Sequence, residues 1–569
     1  MAGVSNESRF DKSFLEAVAF AFKQCGLAFS SKSEQLDAIY AVVTGKDVFV
    51  KAATGFGKSV CFSTIPYVCD YLYRSKIEGF SNPSFSSVVL VISPLKALMG
   101  DQLKEIAKYG LSGKKLHEGL TEDELVDVGE GKFKILISSP ESLSEKKIRA
   151  QLLLLRPKIV CVAIDEAHCV LQWGKEFRTE YGELNKVRAF LMHGVPFMAL
   201  TGTATLAMVK EITQILGMHE FVTVKVTSNR PNIMYTVEKM ETVPDEEVEK
   251  REQLMDHIFG EVVCDLNNNG KIAAKVIVFC FLRNDCAMIY EFFLQKLGNH
   301  SLVNMFTNIT DEITKKSIVT QFCSLESELR VVIATVAFGM GINCPNVCKV
   351  IHFRSPCTLL NYGQETGRCG RDGRQAHAKL FYSNKEFGIC LSKFNKKKSK
   401  YQSENCELQK MKLYATNIAE CRRVLLLNYL DGEADAKREI ENSNVAKHNC
   451  CDIWASACEC EDCLPIEAMD LMEIEEDTSA GIPERRRCRF TNEQKQVIKT
   501  QLIHLRASLS EDACLLSPDH SLGFTTHVIN QIVEKCESLK TEEDIFEQVD
   551  VWNPSLSQKI LSILANVEP

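Results

Sequence analysis

Short apolar runs alternate with amphipathic stretches along the first 385 residues of this 569-residue chain. The alternation is typical of βαβ units, in which buried parallel strands are joined by helices. One series of strands is predicted at 48–51, 88–93, 135–138, 160–164 and 197–200, and a second at 276–280, 331–334 and 349–352. The pattern therefore predicts an α/β chain with two tandem parallel-sheet domains.

The remaining chain changes character several times. An acidic stretch, 240–271, separates the two strand series, and we expect it to open a second domain whose first strand starts near Val276. A lysine-rich and then cysteine-rich region follows, and after an acidic segment the last 80 residues have the spacing of amphipathic helices. The predicted division is 1–232 and 233–387 for the two α/β domains, 388–465 for a small helical region with clustered cysteines, 466–484 for a linker and 485–569 for an all-α region.

The overall composition is that of an ordinary globular protein. Apolar residues make up 45% and charged residues 25%, which excludes disordered, collagenous and coiled-coil classes. We predict no membrane association, because no apolar run has the length of a membrane span, and the polar segment 1–10 lacks a signal-peptide pattern. An intracellular protein is expected. Its 24 cysteines are then free thiols in the core or metal ligands rather than disulfides.

A glycine-rich loop directly follows the first predicted strand. Its sequence is Ala53-Thr54-Gly55-Phe56-Gly57-Lys58-Ser59, with Ala52 where the full Walker pattern has glycine. Glycines let backbone N–H groups close around phosphate oxygens. Lys58 is predicted to reach the β- and γ-phosphates and Ser59 to help hold Mg²⁺. The alternative is a tight turn without a ligand.

Two adjacent carboxylates end the fourth predicted strand, in the segment Asp165-Glu166-Ala167-His168. Asp165 is the expected Mg²⁺ ligand, held through water, and Glu166 is the expected residue that polarises the attacking water. We expect His168 to couple the nucleotide site to its neighbours. A nucleotide-hydrolysing motor is therefore indicated.

At this point the chain resembles the superfamily 2 helicases of the DEAH-box type, and specifically the RecQ family of DNA helicases. The discriminating stretch is 165–178, in which the DEAH box is followed by a loop matching the family's aromatic-rich loop. Further matches occur in chain order at 93–99, 101–102, 139–141, 200–205, 229–232, 334–343 and 364–373. The resemblance covers about residues 15–430.

The resemblance implies two RecA-like halves with ATP in the cleft between them, together with Mg²⁺. Arg368 and Arg371 of the second half are the implied arginine fingers. Gly339 is implied to permit a tight loop beside the nucleotide, and Gln364 is implied to link that loop to the phosphates. Gln35 resembles the adenine-reading glutamine. Its neighbourhood departs from the family pattern, so adenine stacking falls to Phe29 or is weaker.

The implied activity is ATP-dependent translocation on single-stranded DNA in the 3′-to-5′ direction, with duplex unwinding in DNA repair or recombination. The loops of Ser93, Ser139 and Thr335 are implied to contact DNA phosphates. Gln172, Trp173, Phe177 and Arg178 form the matching aromatic-rich loop, in which Trp173 and Phe177 stack on bases or transmit a signal. The alternative for these two aromatic residues is a buried hydrophobic pair. A DNA substrate also implies a nuclear location.

The implied zinc site departs from the family pattern. Family members carry a helical hairpin followed by four cysteines, and here Trp454 stands where the last should be. Cys421, His448, Cys451 and Cys458 are the expected ligands of Zn²⁺, which prefers four thiolate or imidazole groups. The alternative is a cluster of free thiols.

Two alternative functions stay open from the sequence. One is an RNA helicase, because phosphate contacts alone discriminate poorly between nucleic acids. The other is a binding scaffold with a relic motor. The formal charge of −8 weakly opposes a nucleic-acid partner, but it averages acidic segments at 240–261 and 467–477 with a basic segment at 393–423. We therefore expect DNA to bind along a narrow, salt-sensitive track.

Overall fold

The structure is a computed structural model of the chain. It describes residues 10–27, 30–53, 55–81, 84–94, 96–173, 179–191, 194–241, 247–338, 344–388, 401–441, 445–458, 460, 492–512, 526–536, 538–539, 541–542, 544–545, 549 and 554–567. The predicted acidic linker at 466–484 lies outside these ranges. No helix in the described part of the chain is long and apolar enough to cross a bilayer.

The first sheet has seven parallel strands in the order β3-β4-β2-β5-β6-β1-β7. Its strands are β1 Asp47–Lys51, β2 Val88–Ile92, β3 Gly113–Leu116, β4 Ile135–Ser138, β5 Ile159–Ile164, β6 Phe197–Thr201 and β7 Phe221–Lys225. In β1, Val48 and Val50 pack into one apolar cluster and Phe49 into another. Both faces of the central strands are therefore buried, which explains why they read as continuous apolar runs.

Helices cover both faces of this sheet. They are Lys12–Gln24, Ser33–Val43, Lys58–Arg74, Lys96–Lys108, Glu122–Glu130, Pro140–Leu143, Lys146–Leu155, Cys169–Trp173, Thr179–Gly182, Asn185–Leu191 and Leu206–Ile215. The predicted parallel-sheet architecture is confirmed for this half. Strands β3 and β7 were missed, because each is only partly buried and carries polar residues.

The second sheet has six parallel strands in the order β10-β11-β9-β12-β13-β8. Its strands are β8 Ile233–Lys239, β9 Lys275–Cys280, β10 Val303–Phe306, β11 Val331–Ala334, β12 Val347–Phe353 and β13 Ala376–Tyr382. The helices Val248–Asn269, Arg283–Lys296, Glu312–Cys323 and Leu359–Thr366 accompany it.

The expectation that this sheet starts near Val276 is wrong. Its first strand in the chain is β8, which pairs with β13 at one edge of the sheet. Only the first three residues of β8 are buried, so the strand lacks the long apolar run of a central strand. The acidic stretch after it forms the helix Val248–Asn269, which packs on the sheet through residues such as Phe259 and Val262.

The helices after the second sheet are Tyr401–Thr416, Arg422–Asp431, Glu433–Glu441 and Asp452–Ser456. Leu408, Met411, Leu426 and Leu430 from this region pack into the same apolar cluster as Tyr362 of the second half. The first two helices are therefore built onto the second half.

The last described helices are Asn492–Asp512, Thr526–Lys535 and Pro554–Val567. They share an apolar cluster of their own, which includes Ile498, Leu502, Ile529 and Ile532. The predicted all-α character of this region is confirmed. Its apolar residues face one another because they recur at helical spacing.

Candidate nucleotide and nucleic-acid site

The glycine-rich loop connects β1 to the helix Lys58–Arg74. Gly55 and Gly57 have φ angles of 91° and 95°, which only glycine adopts without strain, and the helix begins directly after Gly57. The Lys58 ammonium donates to the carbonyl oxygen of Ala52 at 2.8 Å and so lies over the loop. Ser59 follows in the first helical turn. Thr54 lies outside the described residues.

Gln35 lies beneath this loop with only 1% of its surface exposed. Its amide donates to the Gly57 carbonyl at 3.2 Å, and its oxygen accepts the backbone N–H of Lys32 at 3.0 Å. The Lys32 ammonium donates to the Phe56 carbonyl at 3.0 Å. These contacts brace the loop from the side on which adenine reading is predicted. Phe29, the expected stacking residue, lies outside the described part of the chain.

The carboxylates Asp165 and Glu166 follow β5, which lies next to β6 and two strands from β1 in the sheet. Carboxyl ends of parallel strands meet at one edge, so the carboxylates face the glycine-rich loop. Asp165 accepts a hydrogen bond from the Gln102 amide at 2.6 Å. Burial raises the pKa of Asp165, the charge of Glu166 raises it further, and Lys58 opposes both. Glu166 has a positive φ of 47°, which marks a strained turn at this point.

His168 connects the two halves of the molecule. Burial lowers its pKa to about 4, so the ring is neutral at pH 7. The Gln364 amide, from the second half, lies 3.3 Å from Nε2 of His168 and donates to the Thr203 hydroxyl at 2.5 Å. With Nε2 as acceptor, the ring proton is on Nδ1, which lies 3.0 Å from the Thr201 hydroxyl. The predicted coupling residue therefore lies at the junction of the halves.

Arg368 and Arg371 enter the cleft from the second half. They follow the helix Leu359–Thr366 and line the same cavity, of about 340 Å³, as Lys58, Asp165 and Glu166. Burial lowers the pKa of Arg371 to about 10, and the neighbouring charge of Arg368 adds to this shift. The structure thus brings the predicted arginines of the second half into one cleft with the lysine and carboxylates of the first half.

The structure describes only some of the predicted DNA-contact residues. Ser93 and Ser139 are buried at the carboxyl ends of β2 and β4, and the Ser139 hydroxyl caps the helix Pro140–Leu143 by accepting the Ser142 N–H at 3.3 Å. Thr335 follows β11 in the second half. The backbone of Gln172 and Trp173 ends the helix Cys169–Trp173. Gly339, Phe177 and Arg178 lie outside the described residues, so their roles stay predictions.

Several residues that line the cleft were not predicted as site residues, among them Gln102, Leu426 and Leu430. Gln102 holds Asp165, and its own side-chain oxygen is buried without a hydrogen-bond partner among the described residues. Leu426 and Leu430 line the cavity from the helix Arg422–Asp431. Gln102 lies within a matched motif and could have been found there. The two leucines carried no signal, because an apolar residue on a helix ordinarily predicts only packing.

The thiols after the second sheet form two separate groups. Cys421 lies 3.5 Å from Cys450 and 3.7 Å from Cys451 (Sγ to Sγ), and all three are buried. His448 Nδ1 lies 3.2 Å from Cys460 Sγ, and Cys458 completes that group. The four expected zinc ligands are therefore divided, with Cys421 and Cys451 in one group and His448 and Cys458 in the other.

Each thiol group consists of soft donors that suit Zn²⁺, but among the described residues neither offers the four ligands of a closed structural site. Cys450 takes the position beside Cys421, next to the expected Cys451. Trp454, in place of the last thiol, lies in the short helix Asp452–Ser456 and packs against the apolar core.

Comparisons with known proteins agree with this geometry. The model of the DEAD/DEAH box helicase family matches residues 32–212, and that of the helicase conserved C-terminal domain matches residues 249–373. Among solved structures, a crystal structure of the DUF1998 helicase MrfA bound to DNA and AMPPNP has a TM-score of 0.50 at 15% identity, over 76% of this chain and 60% of that one. This similarity concerns the fold alone.

Curated relatives are more specific. ATP-dependent DNA helicase Q1 of Mus musculus is 31% identical over 430 residues, which cover 73% of this chain and 59% of that protein. ATP-dependent DNA helicase RecQ of Pasteurella multocida is 34% identical over 417 residues, covering 72% of this chain and 59% of that protein. The matched region thus spans about three fifths of the length of these relatives. The chain therefore contains the two domains of a DEAD/DEAH-box helicase, and over about 72% of its length it is similar to RecQ-family DNA helicases.

Proposed function

We propose that this chain is an ATP-dependent DNA helicase that translocates 3′ to 5′ on single-stranded DNA and unwinds duplexes. One observation carries the proposal. Lys58, Asp165 and Glu166 of the first half share a cleft with Arg368 and Arg371 of the second half. In a member of the RecQ family, hydrolysis at such a cleft is coupled to movement because closing it requires both halves to approach.

Each charged group has a distinct role in the proposed hydrolysis. Lys58 and the backbone of the glycine-rich loop bind the β- and γ-phosphates. Ser59 and Asp165 are the groups that would hold Mg²⁺, whose charge neutralises the phosphates. Glu166 orients and polarises the attacking water, and Arg368 and Arg371 stabilise charge on the transferred group. The raised pKa of Asp165 fits a carboxylate that awaits a cation.

Gln364 is proposed to report the state of the nucleotide to the second half. Its amide bonds across the cleft to Thr203 and lies beside His168, whose ring also approaches Thr201 and Glu166. A change at the γ-phosphate that moves Glu166 would therefore move these contacts together. This is a physical route by which hydrolysis alters the relative position of the halves.

The decisive experiment measures ATP hydrolysis by the full chain without nucleic acid, with single-stranded DNA and with single-stranded RNA of matched sequence. We expect DNA to stimulate hydrolysis at least tenfold more than RNA. Lys58→Ala should abolish the stimulated rate, whereas Lys46→Ala, which removes an exposed lysine just before β1, should not change it. Stimulation by RNA alone would support the RNA-helicase alternative. An unmodified chain that never hydrolyses ATP would support the scaffold alternative.

Polarity and unwinding need a second assay. Duplexes with a single-stranded tail of either polarity are offered with ATP and Mg²⁺, and strand release is recorded. The proposal requires release from a 3′-tailed duplex and little from a 5′-tailed one. Glu166→Gln should still bind nucleotide while releasing no strand, because only the water-polarising group has been neutralised.

Contact of the Trp173 loop with DNA is part of the proposal. Base stacking on an aromatic ring contributes about 1–3 kcal/mol per base and tolerates any sequence. Trp173→Ala should therefore weaken the stimulation of hydrolysis by DNA and leave nucleotide affinity nearly unchanged. Unaltered stimulation would instead favour the reading of Trp173 as a buried packing residue.

Zinc is also proposed, at the two thiol groups defined by Cys421, Cys450 and Cys451 and by His448, Cys458 and Cys460. Metal analysis of the purified chain should find at least one zinc per chain, and Cys421→Ser should lower that number, whereas Cys286→Ser, a buried thiol of the second half, should not. A metal content near zero would leave a cluster of free thiols. A nuclear location is proposed from the DNA substrate and is tested by fluorescence microscopy of the tagged chain.

A further inference from the structure

The helix Arg422–Asp431, called the accessory helix below, contacts both halves of the motor. Its body packs on the second half, where Leu426 and Leu430 approach Gly363 closely. A Cβ atom at Gly363 would lie 3.5 Å from Leu430 and 3.6 Å from Leu426. Gly363 immediately precedes Gln364, so the accessory helix lies directly behind the residue that bonds across the cleft.

The far end of the accessory helix contacts the first half instead. The Asp431 carboxylate lies 2.7 Å from the Lys51 ammonium, and their side chains are only 1% and 2% exposed. Asp431 also accepts the backbone N–H of Ser228 at 2.8 Å and its hydroxyl at 2.7 Å. Lys51 donates a second hydrogen bond to the Leu430 carbonyl. Both partners of the ion pair are therefore held by further directional bonds.

Lys51 occupies a sensitive position. It is the last residue of β1, and the next carbonyl, that of Ala52, accepts the hydrogen bond from Lys58 at 2.8 Å. A displacement of Lys51 therefore reaches the phosphate-binding lysine through one peptide unit and one hydrogen bond. A second contact, between Lys225 of β7 and the carbonyl of Asp431 at 2.6 Å, fixes the neighbouring strand to the same point.

We propose that Lys51 and Asp431 are positioning residues that couple the accessory helix to the glycine-rich loop and thereby set the affinity for the nucleotide. The inference rests on the proposed function. It adds the accessory helix as a segment that acts on the nucleotide site. Neither residue touches the reacting atoms; each acts through the loop backbone. The nucleotide site thus depends on Asp431, which lies 380 residues after Lys51 in the chain.

The choice of an ion pair at this place supports a positioning role. A buried ion pair is a weak source of stability, because removing two charges from water costs about as much as their attraction returns. Burial lowers the pKa of Lys51 against the opposing effect of Asp431. An apolar pair of similar size would hold the surfaces together equally well. What the ion pair adds is direction, since its hydrogen bonds fix the end of β1 relative to Leu430 and Ser228.

The test separates positioning from stability in the full chain. Asp431→Asn should raise both the KM for ATP and the dissociation constant of a fluorescent ADP analogue about tenfold, with kcat within about threefold of the unmodified value. The double variant Lys51→Met, Asp431→Leu replaces the pair by apolar side chains. We expect it to recover the melting temperature while the KM stays raised, because the directional bonds are still missing.

Two controls make each outcome decisive. Lys349→Met breaks a mostly buried lysine–carboxylate pair inside the second half and should lower the melting temperature without changing nucleotide affinity. Ser228→Ala is a milder variant that serves if Asp431→Asn does not fold, and it should raise the KM two- to threefold. Recovery of KM together with melting temperature in the double variant would overturn the proposal. So would unchanged nucleotide affinity in every variant at this contact.

The same data distinguish this inference from the proposed function. Binding of the ADP analogue requires only an intact nucleotide site and no nucleic acid. If the unmodified chain binds the analogue but DNA never stimulates hydrolysis, the proposed function fails while the positioning role can still be read from the affinities. If DNA stimulates hydrolysis and Asp431→Asn binds nucleotide normally, only the positioning role fails.

Discussion

Two buried carboxylates of the molecule have pKa shifts of opposite sign, although burial acts on both in the same direction. In the cleft, burial and the charge of Glu166 raise the pKa of Asp165. In the second half, burial would likewise raise the pKa of Glu261, but Lys349 and Lys379 outweigh it and lower the pKa to about 2. Glu261 is thus fully compensated by protein cations at 2.7 and 3.1 Å, and Asp165 is not.

Burial also disfavours the charged forms of two arginines in the cleft. Burial lowers the pKa of Arg371 to about 10 and also lowers that of Arg368. The charged forms of Asp165, Arg368 and Arg371 are therefore less stable than in water, although these residues line the same cavity. Incomplete compensation of this kind is typical of a site that binds a charged ligand, whereas compensation within the protein is typical of the framework.

The largest effect is expected at the cleft. Arg371→Ala should lower kcat for DNA-stimulated ATP hydrolysis about 10³-fold, the range in which arginine fingers act. The melting temperature should change little, because the charged form of Arg371 is disfavoured where it lies. Arg374→Ala, which removes an exposed arginine three residues along the chain, should stay within about twofold of the unmodified rate. An equal decrease of kcat in Arg371→Ala and Arg374→Ala would contradict the distinction between cleft and framework.

A substitution in the framework, away from the cleft, should change the stability of the protein rather than its activity. Glu261→Gln leaves two mostly buried lysines without their carboxylate and should lower the free energy of unfolding by about 3 kcal/mol at pH 7. Its kcat should be unchanged below the unfolding temperature. Glu252→Gln, on the same helix but in an exposed pair with Lys296, should cost less than about 1 kcal/mol. Urea unfolding followed by circular dichroism measures the unfolding free energy of both variants. A similar loss in Glu261→Gln and Glu252→Gln would contradict the difference between the buried and the exposed pair.

The contribution of Glu261 should also depend on pH. Its folded-state pKa of about 2 lies below the ordinary value of 4.5, so its stabilisation is complete above pH 4.5 and is lost as the pH falls toward 2. The difference in unfolding free energy between the unmodified chain and Glu261→Gln should therefore shrink to roughly half by pH 3. A difference that stays constant from pH 7 to pH 3 would show that the charge of Glu261 is not its source.

The smallest effect concerns the hydrogen bond between the halves. Gln364→Ala and Thr203→Val each remove one partner of a 2.5 Å contact. Their effects on kcat/KM should not be additive, and the double variant should reveal a coupling energy of about 1 kcal/mol. Simple additivity would mean that the two residues act independently, and the cleft would then lack this link between the two sheets.

Much of the part of the site that lies in the first half of the molecule was predictable. Lys58 and Asp165 each follow an apolar run that forms a central strand, and parallel strands bring their carboxyl ends to one edge of the sheet. The periodicity of apolar residues therefore predicted where these two site residues lie, in addition to where the strands lie. Strand β8 escaped prediction because only one end of this edge strand is buried, so no continuous apolar run marks it.

The thiol groups illustrate the limit of a family resemblance. The resemblance to the family's cysteine pattern implied Cys421, His448, Cys451 and Cys458 as one set, yet the fold places them in two groups. Six neighbouring donors allow several combinations with similar spacing. Which thiols meet depends on how the short helix Asp452–Ser456 packs against the second half, and Trp454 takes part in that packing.

The sequence by itself determined the two parallel sheets, the glycine-rich loop and the carboxylates beside it, because these follow from local periodicity and from short motifs at strand ends. Only the tertiary structure decided how Arg371 faces Glu166, which carboxylates are compensated, and that Asp431 meets Lys51. These contacts join residues that are hundreds of positions apart in the chain. Their geometry depends on how whole halves and helices pack, and no local pattern encodes that packing.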